Sequence, residues 1–206
     1  MPWIMRCHVG CWRVGRVGRV ALDEGAGVQA SGITTGQPHA IVVMGVSGSG
    51  KTTLSTRIGA VLGCPPLEGD AFHAAASVAK MRAGEPLTDA DRWPWLDRLG
   101  AAIGDAARAD GVAVAACSAL KRAYRERLVA ASGVPLGFVL LDTAEDALAR
   151  RLRARRGHYM PASLLGSQLA TLERPDADEC ALTLDAARPV DALEADALAW
   201  IRAQGW

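Results

Sequence analysis

Two short stretches carry residue types and spacings suited to phosphate chemistry. Residues 45–52 read GVSGSGKT, which fits G-x-x-x-x-G-K-[ST]. In such a run Gly45, Gly48 and Gly50 let the backbone curl, so that N–H groups from Val46, Ser47 and Ser49 onward to Thr53 face anionic oxygens. Lys51 would reach the β- and γ-phosphates, and the Thr52 hydroxyl would ligate Mg²⁺. A glycine-rich turn without a ligand is the plain alternative. The flanks weigh against it, because AIVVM (40–44) reads as a buried strand and KTTLSTRIGAVLG (51–63) as a helix closed by glycine.

The second stretch, EGDAFH (68–73), follows about one helix later. Transfer of a phosphoryl group needs an acceptor hydroxyl held in line and a carboxylate to receive its proton. Glu68 and Asp70, alternating along the end of a short strand, would point the same way, with Asp70 as that base and Glu68 orienting water on the magnesium. An acidic pair at a strand end otherwise reads as solvated or as a helix cap. Its position relative to the cradle favours the chemical reading. Lysine usage adds a hint, since of 23 basic residues only Lys51, Lys80 and Lys121 are lysine. An ammonium is a compact point charge, unlike the guanidinium fork, so Lys80 and Lys121 are either substrate contacts or parts of solvated helix faces.

The elements that must carry these residues alternate. Strands are expected through residues 66–67, VAVAAC (112–117), LGFVLLD (136–142) and ALTLDA (181–186), in addition to 40–44. Helices are expected over 77–84, 91–111, 118–131, 144–156 and 191–203. This order predicts an α/β three-layer sandwich on a parallel five-stranded sheet, with ligands beyond the carboxyl ends of the strands.

The 206 residues suit one domain, assigned here to 39–206. Residues 1–38 differ in composition, with Arg6, Arg13, Arg16 and Arg19 and no lysine, and read as an unstructured leader or a start placed upstream of the true one. They lack the continuous apolar core of a secretory signal. A formal charge of +1 gives no basic field for nucleic acid, and no apolar run is long enough to span a bilayer. Five cysteines without framework spacing suggest reduced thiols in the cytoplasm, and CHVGC (7–11) lacks the second ligand pair that a metal site would need.

Beyond these readings, GVSGSGKT, GDAFH, KMRAGEPLTDADRWPWL (80–96), CSALKRAYR (117–125), RLRARRGHYM (151–160) and LLGSQLATLERP (164–175) together resemble the bacterial-type gluconate kinase family over about residues 40–186. The resemblance implies a P-loop NTPase fold like that of the nucleoside-monophosphate and shikimate kinases, with a lid at about 151–175. It also implies conversion of ATP and D-gluconate to ADP and 6-phosphogluconate, with Mg²⁺, in a homodimer. Carried onto this chain, Asp70 and His73 would contact the sugar-acid hydroxyls, and Arg92 and Lys121 the carboxylate, with Arg125 one turn further on the same face. Lys80 and Asp89 would complete the pocket. Arg151 and Arg155 would clamp the moving phosphoryl from the lid, while His158 is a lid or substrate contact or a structural residue. Trp93 and Trp95 are expected to pack rather than to stack on substrate. The chain departs from the family's HPxxN-like pattern at HAAAS (73–77), which predicts weaker gluconate affinity, and it carries Glu68 where aspartate is common. A kinase for shikimate or another sugar acid, and a nonenzymatic ATP-binding regulator, are the competing readings. A GTPase switch is disfavoured because no N-K-x-D string occurs.

Overall fold

The structure is a computed structural model that describes residues 36–144, 148 and 163–206. Five strands form one parallel sheet: β1 (His39–Met44), β2 (Leu67–Glu68), β3 (Val112–Ala116), β4 (Leu136–Asp142) and β5 (Ala181–Asp185), in the order β2-β3-β1-β4-β5. β1 is central, its Ile41 in register with Val114 of β3 and Gly137 of β4. Residues 40–44 are fully buried because helices cover both faces of the sheet.

Alternation along β1 divides the core. Val42 and Met44 face a cluster containing Trp95, Leu99, Ile103 and Leu128. Ile41 and Val43 face a second cluster containing Leu54, Ile58, Leu193 and Ile201. The first side is covered by α3 (Asp89–Asp110) and α4 (Arg122–Ser132), the second by α1 (Lys51–Leu62) and the C-terminal α6 (Val190–Ala203). Two further helices, α2 (Ala75–Arg82) and α5 (Ser163–Thr171), complete the elements used below.

The boundaries follow local chemistry. Gly63 ends α1 in the left-handed conformation, its N–H bonding to the Gly59 carbonyl. Thr88 and Asp91 form a reciprocal capping box that starts α3, and Gly111 ends it. Two expectations shift. Helix α4 begins at Arg122 rather than 118, leaving residues 118–121 as a loop after β3. Asp70 lies on a 3₁₀ turn, Gly69–Phe72, and not on the strand, which stops at Glu68. The helix expected over 144–156 and the arginines it carries fall almost wholly outside the described residues.

Candidate active site

The cradle leaves the carboxyl end of β1, and its glycines are where the sequence reading requires them. Gly45 has φ 137°, and a Cβ there would stand 2.9 Å from the Leu141 carbonyl oxygen. Gly50, at φ 106°, turns the chain directly into α1, so the N-terminal end of that helix faces the loop. The Lys51 ammonium donates to the Val46 carbonyl at 3.0 Å, folded back over the loop it serves.

Gly69 explains the central residue of EGD. A Cβ at that position would lie 2.5 Å from the Ala116 carbonyl oxygen, so glycine is needed for β2 to run against the end of β3. The Gly69 carbonyl accepts a hydrogen bond from Trp95 Nε1 at 2.7 Å, which ties the turn to α3. The result is that Glu68 and Asp70, despite leaving the strand, both border the hollow beside Ser47, Gly48, Gly50, Lys51 and Thr52. The Thr52 hydroxyl donates to Glu68 Oε2 at 2.9 Å. A hard cation fits a hydroxyl and carboxylate pair of this kind when phosphate oxygens supply its other ligands. Among the described residues no group of three or more His, Cys, Asp or Glu could hold a metal ion.

Next to this hollow lies a cavity on the acceptor side. Ser47 and Lys51 line it from the cradle, Asp70 and His73 from the 3₁₀ turn, Arg92 and Trp95 from α3, Ser118 and Tyr124 from the β3–α4 region, and Gln168 from α5. His73 stacks on Trp95 with ring centroids 4.1 Å apart. Burial pushes the His73 imidazole below its ordinary value, with Asp70 opposing and Arg92 and Arg98 reinforcing the shift. Its Nδ1 is buried with no hydrogen-bond partner among the described residues, leaving a neutral ring atom able to meet a hydroxyl. Trp95 is therefore both packing and lining, only 2% exposed.

The cations are sorted by their partners. Arg92 reaches the cavity, donates to the Tyr124 hydroxyl at 3.1 Å and lies 3.7 Å from Asp89. Lys121 is paired with Asp89 at 2.8 Å, and Asp89 also accepts from the Tyr124 hydroxyl. The bonds from Lys121, then from Tyr124, hold the Asp89 carboxyl below the usual carboxylate range. Lys80 is engaged by Asp91 at 2.8 Å, pinning α2 to the capped start of α3, and it does not line the cavity. Hydrogen bonds from Lys80 foremost, then from Thr88, keep Asp91 ionised well below the ordinary range.

Arg125 departs from its expected place. It is one turn beyond Lys121, but that turn of α4 points its guanidinium inward, where it is 1% exposed and forked onto Glu179 at 2.5 and 2.7 Å. It also donates to the Glu173 carbonyl at 3.0 Å and to the Ala119 carbonyl at 3.3 Å. A buried guanidinium saturated in this way is a structural clamp and is not available to a substrate carboxylate. Arg151, Arg155 and His158 lie outside the described residues. Several lining residues have no role in the sequence reading, among them Ser118, Tyr124 and Gln168. Tyr124 follows Lys121 by one turn within KRAYR, a spacing that could have revealed it, whereas Gln168 had no local signal beyond its presence in LLGSQLATLERP.

The family model of the AAA domain matches residues 41–175. Over 143 residues the chain is 53% identical to the gluconokinase of Gluconobacter oxydans strain 621H, covering 69% of this chain and 80% of that protein. It is 39% identical to the thermoresistant gluconokinase of Escherichia coli K12 over 172 residues, covering 82% and 97%. The crystal structure of a gluconokinase from Sinorhizobium meliloti 1021 superposes with a TM-score of 0.71 at 45% identity, covering 81% of this chain and 93% of that one.

Proposed function

This chain belongs to the gluconokinase family, and we infer that it transfers the terminal phosphoryl group of ATP to D-gluconate, giving ADP and 6-phospho-D-gluconate. The observation that carries the reading is a single cavity bordered both by the cradle, through Ser47 and Lys51, and by Asp70, His73 and Arg92. A donor phosphoryl and a polyhydroxy acid brought there would meet without either leaving the protein surface.

The chemistry follows from the residue types. Backbone N–H groups of residues 46–53 and the Lys51 ammonium hold the phosphates. Asp70 accepts the proton of the attacking gluconate hydroxyl as its oxygen bonds to the γ-phosphorus and the bond to the ADP oxygen breaks. His73, kept neutral, meets a neighbouring hydroxyl, and Arg92, oriented by Tyr124, meets the substrate carboxylate. The pairs Lys121–Asp89 and Lys80–Asp91 brace this rim. Mg²⁺ would be held by Thr52, with Glu68 beside it, and would supply neutralisation of phosphate charge. Arg151 and Arg155 are assigned to the transferred phosphoryl and His158 to the acceptor side, on the family resemblance of RLRARRGH alone. On this reading the protein works in the cytoplasm as a homodimer.

The test is an ADP-release assay across gluconate, shikimate and other sugar acids. Strong turnover with gluconate and little with the others is expected. Turnover with shikimate in preference to gluconate would transfer the assignment to a different acceptor.

A further inference from the structure

The Ser47 N–H, a donor of the phosphate cradle, is already committed. It donates to Gln168 Oε1 at 2.7 Å, across 121 residues of sequence. Ser47 also occupies a particular flank of the cradle. Gly48, Ser49, Gly50 and Thr53 border a separate hollow near Arg188 and Val190, whereas Ser47 and Lys51 border the cavity containing Asp70 and His73. Ser47 and Lys51 also share with Gly48, Gly50 and Thr52 the hollow beside Glu68 and Asp70, so the Ser47 N–H stands where that hollow meets the acceptor cavity, the place the last phosphoryl of a triphosphate would reach.

A carboxamide oxygen is a neutral stand-in for a phosphate oxygen, and one N–H makes one strong hydrogen bond. An anionic oxygen arriving at Ser47 would win that donor, because the charge-assisted bond is the stronger. A diphosphate, one phosphoryl shorter, would leave the amide in place. We propose that Gln168 is a positioning residue that discriminates triphosphate from diphosphate: its carboxamide occupies the Ser47 N–H until a terminal phosphoryl displaces it. The displacement is transmitted to the rim of the acceptor cavity. α5 continues into Glu173, whose N–H donates to the Leu120 carbonyl at 2.8 Å and whose carboxylate accepts from the Arg122 N–H at 2.7 Å. A change at Gln168 is therefore felt at the loop that precedes Tyr124.

The inference rests on the nucleotide half of the proposed function and is independent of the acceptor. It is tested by calorimetric titration of the full chain, without gluconate, with Mg²⁺–ADP and with a non-hydrolysable Mg²⁺–ATP analogue. Gln168→Met removes the competing acceptor, and the analogue is expected to bind about two- to tenfold tighter while ADP is unchanged. Gln168→Asn, too short to reach Ser47, should behave as Gln168→Met does. Gln168→Glu should weaken the analogue far more than ADP, since a carboxylate both holds the N–H and repels the phosphoryl. Equal shifts for both nucleotides, no shift, or weaker analogue binding in Gln168→Met would overturn the proposal. Failure to phosphorylate gluconate would leave this measurement untouched.

Discussion

At the residue scale, the site depends on a few side chains whose neighbours fix their protonation and direction. His73 is the clearest case. In the folded protein its imidazole sits below the ordinary value of 6.5 because it is buried against Trp95, and Asp70 only partly offsets this. The unfolded chain therefore binds more protons than the native one as pH falls through the ordinary imidazole range. Stability is lost on acidification in that window and is fully present above it. His73→Phe, which keeps the stacking on Trp95, should flatten the fall in denaturation midpoint between about pH 7 and pH 5.5. An unchanged slope would mean that another group carries the dependence. Asp70 could be singled out from its type and its place after the cradle, whereas Arg92 came only from the family resemblance; both border the cavity. Arg125 was misread because a helix turn specifies only the direction of a side chain. Its destination depended on Glu179, more than 50 residues away, which nothing local could indicate.

At the scale of elements, the acceptor cavity is assembled by the capped start of α3 and a buried clamp on α4. The Thr88–Asp91 box fixes the first turn of α3, and Lys80 joins α2 to it, so that Arg92 and Trp95 project from a determined position. The Arg125–Glu179 pair joins α4 to the chain before β5, and its extra donors hold the carbonyls of Ala119 and Glu173. Ala119 has φ 43°, a left-handed conformation unusual for alanine, at the start of the loop carrying Leu120 and Lys121. Arg125→Met should lower stability by about 3 kcal/mol or more, because Glu179 would be left as a largely buried, unpaired charge. Adding Glu179→Met should recover most of that loss in chemical denaturation. If the double variant is no more stable than the single one, the guanidinium's carbonyl contacts outweigh the ion pair. Periodicity located α1, α3 and α6 closely, from their apolar stripes and, for α1 and α3, from the glycines that stop them. It overran at 118–121, where an amphipathic pattern continues into a loop held open by Arg125.

At the scale of the whole molecule, the order β2-β3-β1-β4-β5 means that the chain lays strands to one side of β1 and then to the other. The cradle leaves β1, EGDAFH leaves β2 and Ser118 follows β3, so that residues far apart in sequence open onto one rim. The alternation of apolar runs foretold a parallel sheet with buried strands. It contained no information on strand order, which depends on long-range pairing. Among the described residues no helix is long and apolar enough to cross a membrane. The Cys117 thiol, buried beneath the site on the strand side of Ser118, is pushed up to about 12 by burial, so it belongs to the packing and not to the chemistry. The thiol should resist alkylation in the native protein at neutral pH, and its labelling at the rate of an exposed cysteine would contradict the enclosed geometry. The central claim is that Asp70 stands between a nucleotide's last phosphoryl and a gluconate hydroxyl. It is tested most directly by measuring ATP affinity and gluconate turnover together in Asp70→Asn. The account predicts ATP binding close to that of the unaltered protein with turnover lower by about 10²-fold or more; near-normal turnover in that variant would contradict it.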